Sequence, residues 1–152
     1  MKRLRVSGLS LIELMVVLAV IGVLSALAYP SYQQHLARRD RLEAIQLLYE
    51  AQQFMERYYA QNNRYSSDSE GLMPPALPAR LQSTSVQSAT RYSLSVQVSL
   101  NTYSLMATPH NVPAHGQWCD QLTLRINHTQ TKSATAPDGT VLEPAAVTAC
   151  WR

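Results

Sequence analysis

The sequence predicts an α+β fold: a long N-terminal helix, hydrophobic through its first half, packed on an antiparallel sheet of three or four strands. Three patterns predict it. Leu14 to Ala28 is an uncharged apolar run. An i, i+3, i+4 apolar stripe then continues to about Asn62. From Tyr92 onward, apolar and polar residues alternate with a period of two. The chain has 152 residues, enough for one domain and an appendage. Its 46% hydrophobic and 15% charged content excludes a disordered, solvating chain. Two cysteines exclude a disulfide-dense miniprotein and a four-cysteine zinc module.

The first element begins with a basic flank, Lys2, Arg3 and Arg5, free of acids. Leu9 to Ala28 follows, apolar except for Glu13. At about 1.5 Å per residue this segment spans about 30 Å, the thickness of a bilayer's hydrocarbon core. The basic flank should remain cytoplasmic. The segment also fits two simpler descriptions. One is a secretory signal, with Ala26-Leu27-Ala28 as an A-x-A cleavage pattern. The other is a plain membrane anchor. Neither accounts for Glu13, because a carboxylate at that depth costs about 2.5–3.5 kcal/mol on insertion scales. A cut between Gly8 and Leu9 would create an ammonium one helical turn from Glu13. Between packed helices, that pair could also form across subunits and set their axial register.

Gly8 to Tyr32, GLSLIELMVVLAVIGVLSALAYPSY, resembles the class III signal and N-terminal helix of type IV pilins and pseudopilins. The resemblance implies that a prepilin peptidase cuts after Gly8 and N-methylates Leu9. It also implies that Glu13 serves cleavage and assembly, and that Pro30 kinks the helix. Leu9 departs from the phenylalanine usual there, though other apolar residues are tolerated. The implied organisation is a leader over 1–8 and a transmembrane or filament-core helix over 9–29. An amphipathic helix half over 30–62 and a head over 63–152 follow.

Beyond Pro30, which lacks a donor N–H, Ala44, Leu47, Leu48, Ala51, Phe54, Met55, Tyr58 and Tyr59 form one helix face. Arg38, Arg39, Asp40 and Arg41 read as a solvated collar near the membrane, or as a contact for headgroups or a neighbouring subunit. Asn62-Asn63 ends the helix, and the Ser-, Pro- and Gly-containing stretch 66–90 reads as loop. Tyr92, Leu94, Val96, Val98 and Leu100 face one way, and Asn101-Thr102 turns the chain. Tyr103, Leu105 and Ala107 resume the alternation. Leu122 to Ile126 is a third strand, and Val141-Leu142 a short fourth. Pro137-Asp138-Gly139 is a turn.

Cys119 and Cys150 could be free buried thiols or a bridge; outside the inner membrane oxidation is favoured. The pilin resemblance implies the bridge, bounding a C-terminal D-region. The sequences around both cysteines most resemble PilE-type minor pilins.

No catalytic constellation is apparent. His35, His110, His115 and His128 lack metal-ligand spacing, and there is no nucleophile elbow or phosphate cradle. Asn127-His128-Thr129 fits a glycosylation sequon, which the pilin resemblance, by implying a bacterium, reads as accidental. No cofactor and no metal are expected. The expected role is a minor type IV pilin that enters or primes the pilus, with consequences for adhesion and twitching motility. A type II secretion pseudopilin and a DNA-uptake minor pilin are the alternatives. The expected partners are major and minor pilins, the prepilin peptidase and, before assembly, the inner membrane, with the head periplasmic. Nucleic acid is not expected. From Arg64 onward there are six Lys+Arg against five Asp+Glu, without a basic cluster. The precursor's +3 vanishes on cleavage after Gly8, which leaves 10 Lys+Arg against 10 Asp+Glu.

Overall fold

A computed structural model describes residues 10–86, 89–110 and 118–151. Gly8, Leu9, the leader and His115 lie outside the described residues. Helix α1 runs from Leu11 to Asn62 without interruption. It passes through Pro30, which removes one backbone donor but does not end the helix. Asn63 terminates it in the left-handed conformation at φ 55°, its N–H donating to the Tyr59 carbonyl.

The sheet follows as β1 (Ser83–Val86), β2 (Ala89–Val98), β3 (Tyr103–Pro109), β4 (Thr123–Asn127) and β5 (Lys132–Thr135). These five strands pair in sequence order, all antiparallel. Among the described residues the sheet therefore has five strands where three or four were expected. The fourth expected strand, at Val141-Leu142, is only an isolated bridge from Val141 to Thr135. Lys132–Thr135 takes the place opposite β4 instead, which sets Ala134 against Leu124. A short helix α2, Pro144–Cys150, closes the tail, with Pro144 at its first turn where no N–H is needed.

The core forms where the α1 stripe meets one sheet face. Ala44, Leu48, Ala51 and Met55 are fully buried. Opposite them, Leu105, Leu124, Ile126 and Ala134 are equally buried. Register explains the alignment. Leu105 lies opposite both Val96 and Ile126, and Ala107 opposite Leu94 and Leu124, so each strand adds to the same face. The hairpin turn falls at 99–102, where the Ser99 N–H donates to the Thr102 carbonyl.

One expectation fails at the base of the head. Asp40 and Arg41 are not part of a solvated collar: they are 8% and 3% exposed. Arg41 pairs with Asp120, which a local charge pattern could not reveal because the partner is 79 residues away.

Candidate assembly site

The N-terminal half of α1 has no covering partner among the described residues. Its most apolar window has a mean hydropathy of 2.6 and no buried residue. Leu11, Leu27 and Tyr29 are each more than 60% exposed. Glu13 interrupts this surface. Its Oε2 accepts the backbone N–H of Ser10 at 2.9 Å, satisfying one of the helix's unpaired donors. The acid is thus held at the helix start, beside a surface that water solvates poorly.

The head is tied to α1 at its base. Arg41 Nη1 lies 2.5 Å from Asp120 Oδ1, with both side chains almost wholly buried. Tyr92 donates its hydroxyl to the Asp120 carbonyl at 2.9 Å. Burial, followed by the charge of Asp120, pushes the Tyr92 hydroxyl well above its usual range. Asp40 bridges Arg39 at 3.7 Å and Arg91 at 3.5 Å. The neighbouring Cys119 is bonded to Cys150, with Cα atoms 5.3 Å apart. The bridge implied by resemblance is therefore present, and it fastens α2 to the base of the sheet.

Two further clusters escaped sequence reasoning. At the far end of the head, Glu56 accepts hydroxyl bonds from Tyr65 at 3.1 Å and Tyr103 at 2.8 Å. Burial and the Glu56 charge push Tyr65 up to about 12. Tyr65 also stacks on Tyr59 with centroids 4.5 Å apart. On the sheet's last edge, the Lys132 ammonium sits 5.3 Å from the Tyr49 ring centre and 5.4 Å from that of Trp151. These contacts join residues distant in sequence, and no local spacing announces them.

The three described histidines, His35, His110 and His128, do not converge. His110 shares a 2.7 Å hydrogen bond with Ser93, His128 lies edge-on to Tyr103, and His35 is exposed. Among the described residues, no cluster of three or more His, Cys, Asp or Glu could hold a metal.

A half-bare helix on a meander sheet, with a disulfide closing the C-terminal region, is the architecture of a type IV pilin. Residues 3–29 match the family described as "Prokaryotic N-terminal methylation motif". Residues 30–123 match "Type IV minor pilin ComP, DNA uptake sequence receptor". That second match spans well over half of the chain, which belongs to the ComP-type family of type IV minor pilins. The fimbrial protein EcpC of Eikenella corrodens is 39% identical over 62 residues, covering 41% of this chain and 40% of its own. The type II secretion system core protein G of Pectobacterium carotovorum subsp. carotovorum is 34% identical over 68 residues, covering 45% and 44%. The chain thus spans less than half the length of these curated relatives. The structure of the minor pilin PilV of Neisseria meningitidis aligns with 70% of this chain and 94% of its own, at TM-score 0.49 and 19% identity.

Proposed function

We propose that this chain is a minor type IV pilin, a structural subunit that enters the pilus or primes its assembly and so serves adhesion and twitching motility. One observation carries the reading: the first half of α1 is apolar around a single acid, Glu13, and uncovered among the described residues, while its second half is locked into a folded head. Such a surface needs a bilayer before assembly and packed helices afterwards. Residues 1–8 are the leader, removed by a prepilin peptidase after Gly8, and Leu9 becomes the methylated N-terminus. The head is periplasmic in the precursor and reaches the cell surface in the pilus. Glu13 uses Oε2 on its own Ser10 N–H, which leaves Oε1 for the Leu9 ammonium of a neighbour. The role is structural and involves no catalysis.

Mass spectrometry of the mature N-terminus tests this directly. N-methyl-Leu9 is the expected first residue, and a start at Tyr29 would overturn the assignment. Glu13→Ala should deplete the subunit from sheared pili, so undiminished incorporation would count against the pairing. Copurification with secretion components instead of pilus components would shift the reading to a type II pseudopilin.

A second reading, capture of DNA by the head, is favoured by the description of the matching family as a DNA uptake sequence receptor. The charge arrangement offers it little support. Arg41, Arg80 and Arg91 are held by Asp120, Glu50 and Asp40. A gel shift with the full chain in detergent separates the two readings. Binding that falls steeply with salt would establish DNA capture, and no shift would remove it.

A further inference from the structure

The β5 edge of the sheet holds a cation that no acid neutralises. Lys132 is exposed and has no carboxylate partner among the described residues. Its ammonium stands almost equally far from the Tyr49 and Trp151 ring centres, at 5.3 and 5.4 Å. The two ring planes meet at 71°. Two rings set at that angle fix where the cation sits without cancelling its charge. The cation also borders a cleft. Between β5 and α2 lies a cavity of about 530 Å³, within the size range of small-molecule sites. Among the described residues that line it, Lys132 is the only charged one. Glu143, near it in sequence, is exposed and does not line it.

The rest of the lining is amphipathic. Leu142, Val147 and the Trp151 ring make an apolar wall, and Ser133 and Thr148 bring hydroxyls. The Thr148 hydroxyl donates to the Pro144 carbonyl at 2.9 Å, which leaves its lone pairs to accept. The buried Nε1 of Trp151 has no acceptor among the described residues. The backbone of β5 adds another polar group. In an antiparallel ladder, successive residues turn their N–H and C=O alternately towards one neighbour and the other. Ala134 turns its carbonyl away from β4, to the Leu142 N–H. Lys132, two residues earlier, turns the same way. The residue in register to meet it is Pro144, which has no N–H to give and begins α2. The Lys132 carbonyl is therefore an acceptor at the cleft.

We propose that the cleft between β5 and α2 binds a sugar acid, a pyranose that carries one carboxylate. The three parts of such a ligand match the three parts of the cleft. Its carboxylate pairs with the Lys132 ammonium. The C–H face of its ring packs on the indole and its aliphatic neighbours. Its hydroxyls donate to Thr148 Oγ1 and to the Lys132 carbonyl. A nucleic acid matches less well, because a run of phosphates needs several cations in line. Arg125, the other cation of β4 and β5, lies between the buried Leu124 and Ile126 and so faces the opposite side of the sheet. The use of the cleft in adhesion rests on the assembly reading above, and the binding itself does not.

Fluorescence titration of the full chain in detergent tests it. The Trp118→Phe substitution leaves Trp151 as the only indole. Sodium glucuronate should change its emission saturably, with a Kd of about 1 mM. Glucuronamide, of the same shape without the charge, should bind about fivefold more weakly, the range of an exposed ion pair. Lys132→Met, which keeps the aliphatic stem, should weaken glucuronate by a similar factor. No saturable change, equal binding of the amide, or an unaffected Lys132→Met chain would overturn the proposal. So would a duplex oligonucleotide that displaces glucuronate with a steep dependence on salt, since the cleft would then be a nucleic-acid site. Pili that contain the subunit should retain glucuronate-coated beads, and Lys132→Met pili should retain fewer. Glucuronate binding by a chain that is absent from sheared pili would overturn the assembly reading and leave the cleft's ligand in place.

Discussion

Removal of the Asp120 carboxylate should destabilise the base of the head as much as truncation of a large buried apolar residue. Asp120 is 1% exposed and Arg41 3% exposed, with their charged atoms 2.5 Å apart. The Nε of Arg41 has no hydrogen-bond partner, so the guanidinium already has one unsatisfied buried donor. Asp120→Ala strands that cation in a dry site, which costs about 3–5 kcal/mol. Replacing both partners removes the stranded charge and fills the space, and buried pairs exchanged this way are often neutral or stabilising by about 1–4 kcal/mol. Arg41→Met with Asp120→Leu should therefore recover most of what Asp120→Ala loses. Urea unfolding of the full chain in detergent, followed by tryptophan fluorescence, reads the difference. With m of about 1.5–2 kcal/mol/M, the single variant should lower the midpoint by about 1.5–3 M. A single-variant loss below about 1 kcal/mol would refute the reasoning, because a wet or well-relaxed site would be the only explanation. A double variant no better than the single would show that the apolar replacements do not pack at this site, because the bond from the Tyr92 hydroxyl to the backbone carbonyl of residue 120 survives in both.

Other outcomes follow from the same geometry. Cys150→Ser opens a loop of 31 residues and should cost about 3–4 kcal/mol on the chain-entropy model, read as the urea midpoint against the oxidised chain. Gly71→Ala forces a Cβ to 2.9 Å from the Leu100 nitrogen at positive φ and should cost about 1–3 kcal/mol, with accelerated hydrogen exchange in the 65–73 loop. Alkaline pH should destabilise the head. The Tyr65 hydroxyl is raised to about 12, so between the ordinary value of 10.0 and that value the unfolded chain binds fewer protons than the folded one. Stability is intact below pH 10 and falls at up to about 1.4 kcal/mol per pH unit per tyrosine above it. Denaturant midpoints that stay flat from pH 9 to 11 would contradict this.

Much of the fold was legible because its largest signals are local. The α1 stripe and the β2–β3 alternation bury the faces they announce. Leu124 and Ile126 of β4 do the same. The parts that were missed derive their structure from neighbours. Ser83–Val86 is short and mostly polar, and it becomes a strand because β2 offers a free edge. Lys132–Thr135 has a single inward apolar residue, Ala134, and its register against β4 decides its conformation. Pro144–Cys150 is too short for a helical period to stand out. The charged run at 38–41 looked solvated because half of it is. Only the distant Asp120 converts Arg41 into a core residue. Glu13 was legible for the opposite reason: an acid in an apolar helix is conspicuous wherever its partner lies.

The single helix therefore works in two physical regimes, and their junction explains the layout of the head. Below Pro30, α1 is covered by no other described element, and on the proposed assembly reading lipid and then other helices surround it. Above Ala37, it is the core of the head. Any pull on the lower half during extraction from the membrane enters the head at the level of Arg41. There the ion pair passes it to Asp120, and the adjacent Cys119 passes it covalently to Cys150 and α2. Tyr92 ties the same point to β2. An apolar contact at this junction could slide along the helix, because dispersion and hydrophobic attraction are non-directional. A buried, directional ion pair beside a disulfide fixes the register of the helix against the sheet. On this argument the Arg41→Met, Asp120→Leu chain should fold as stably as its parent yet enter pili less efficiently. That combination separates register from stability, and equal incorporation of the two chains would show that the ion pair fixes no register that the apolar replacements do not.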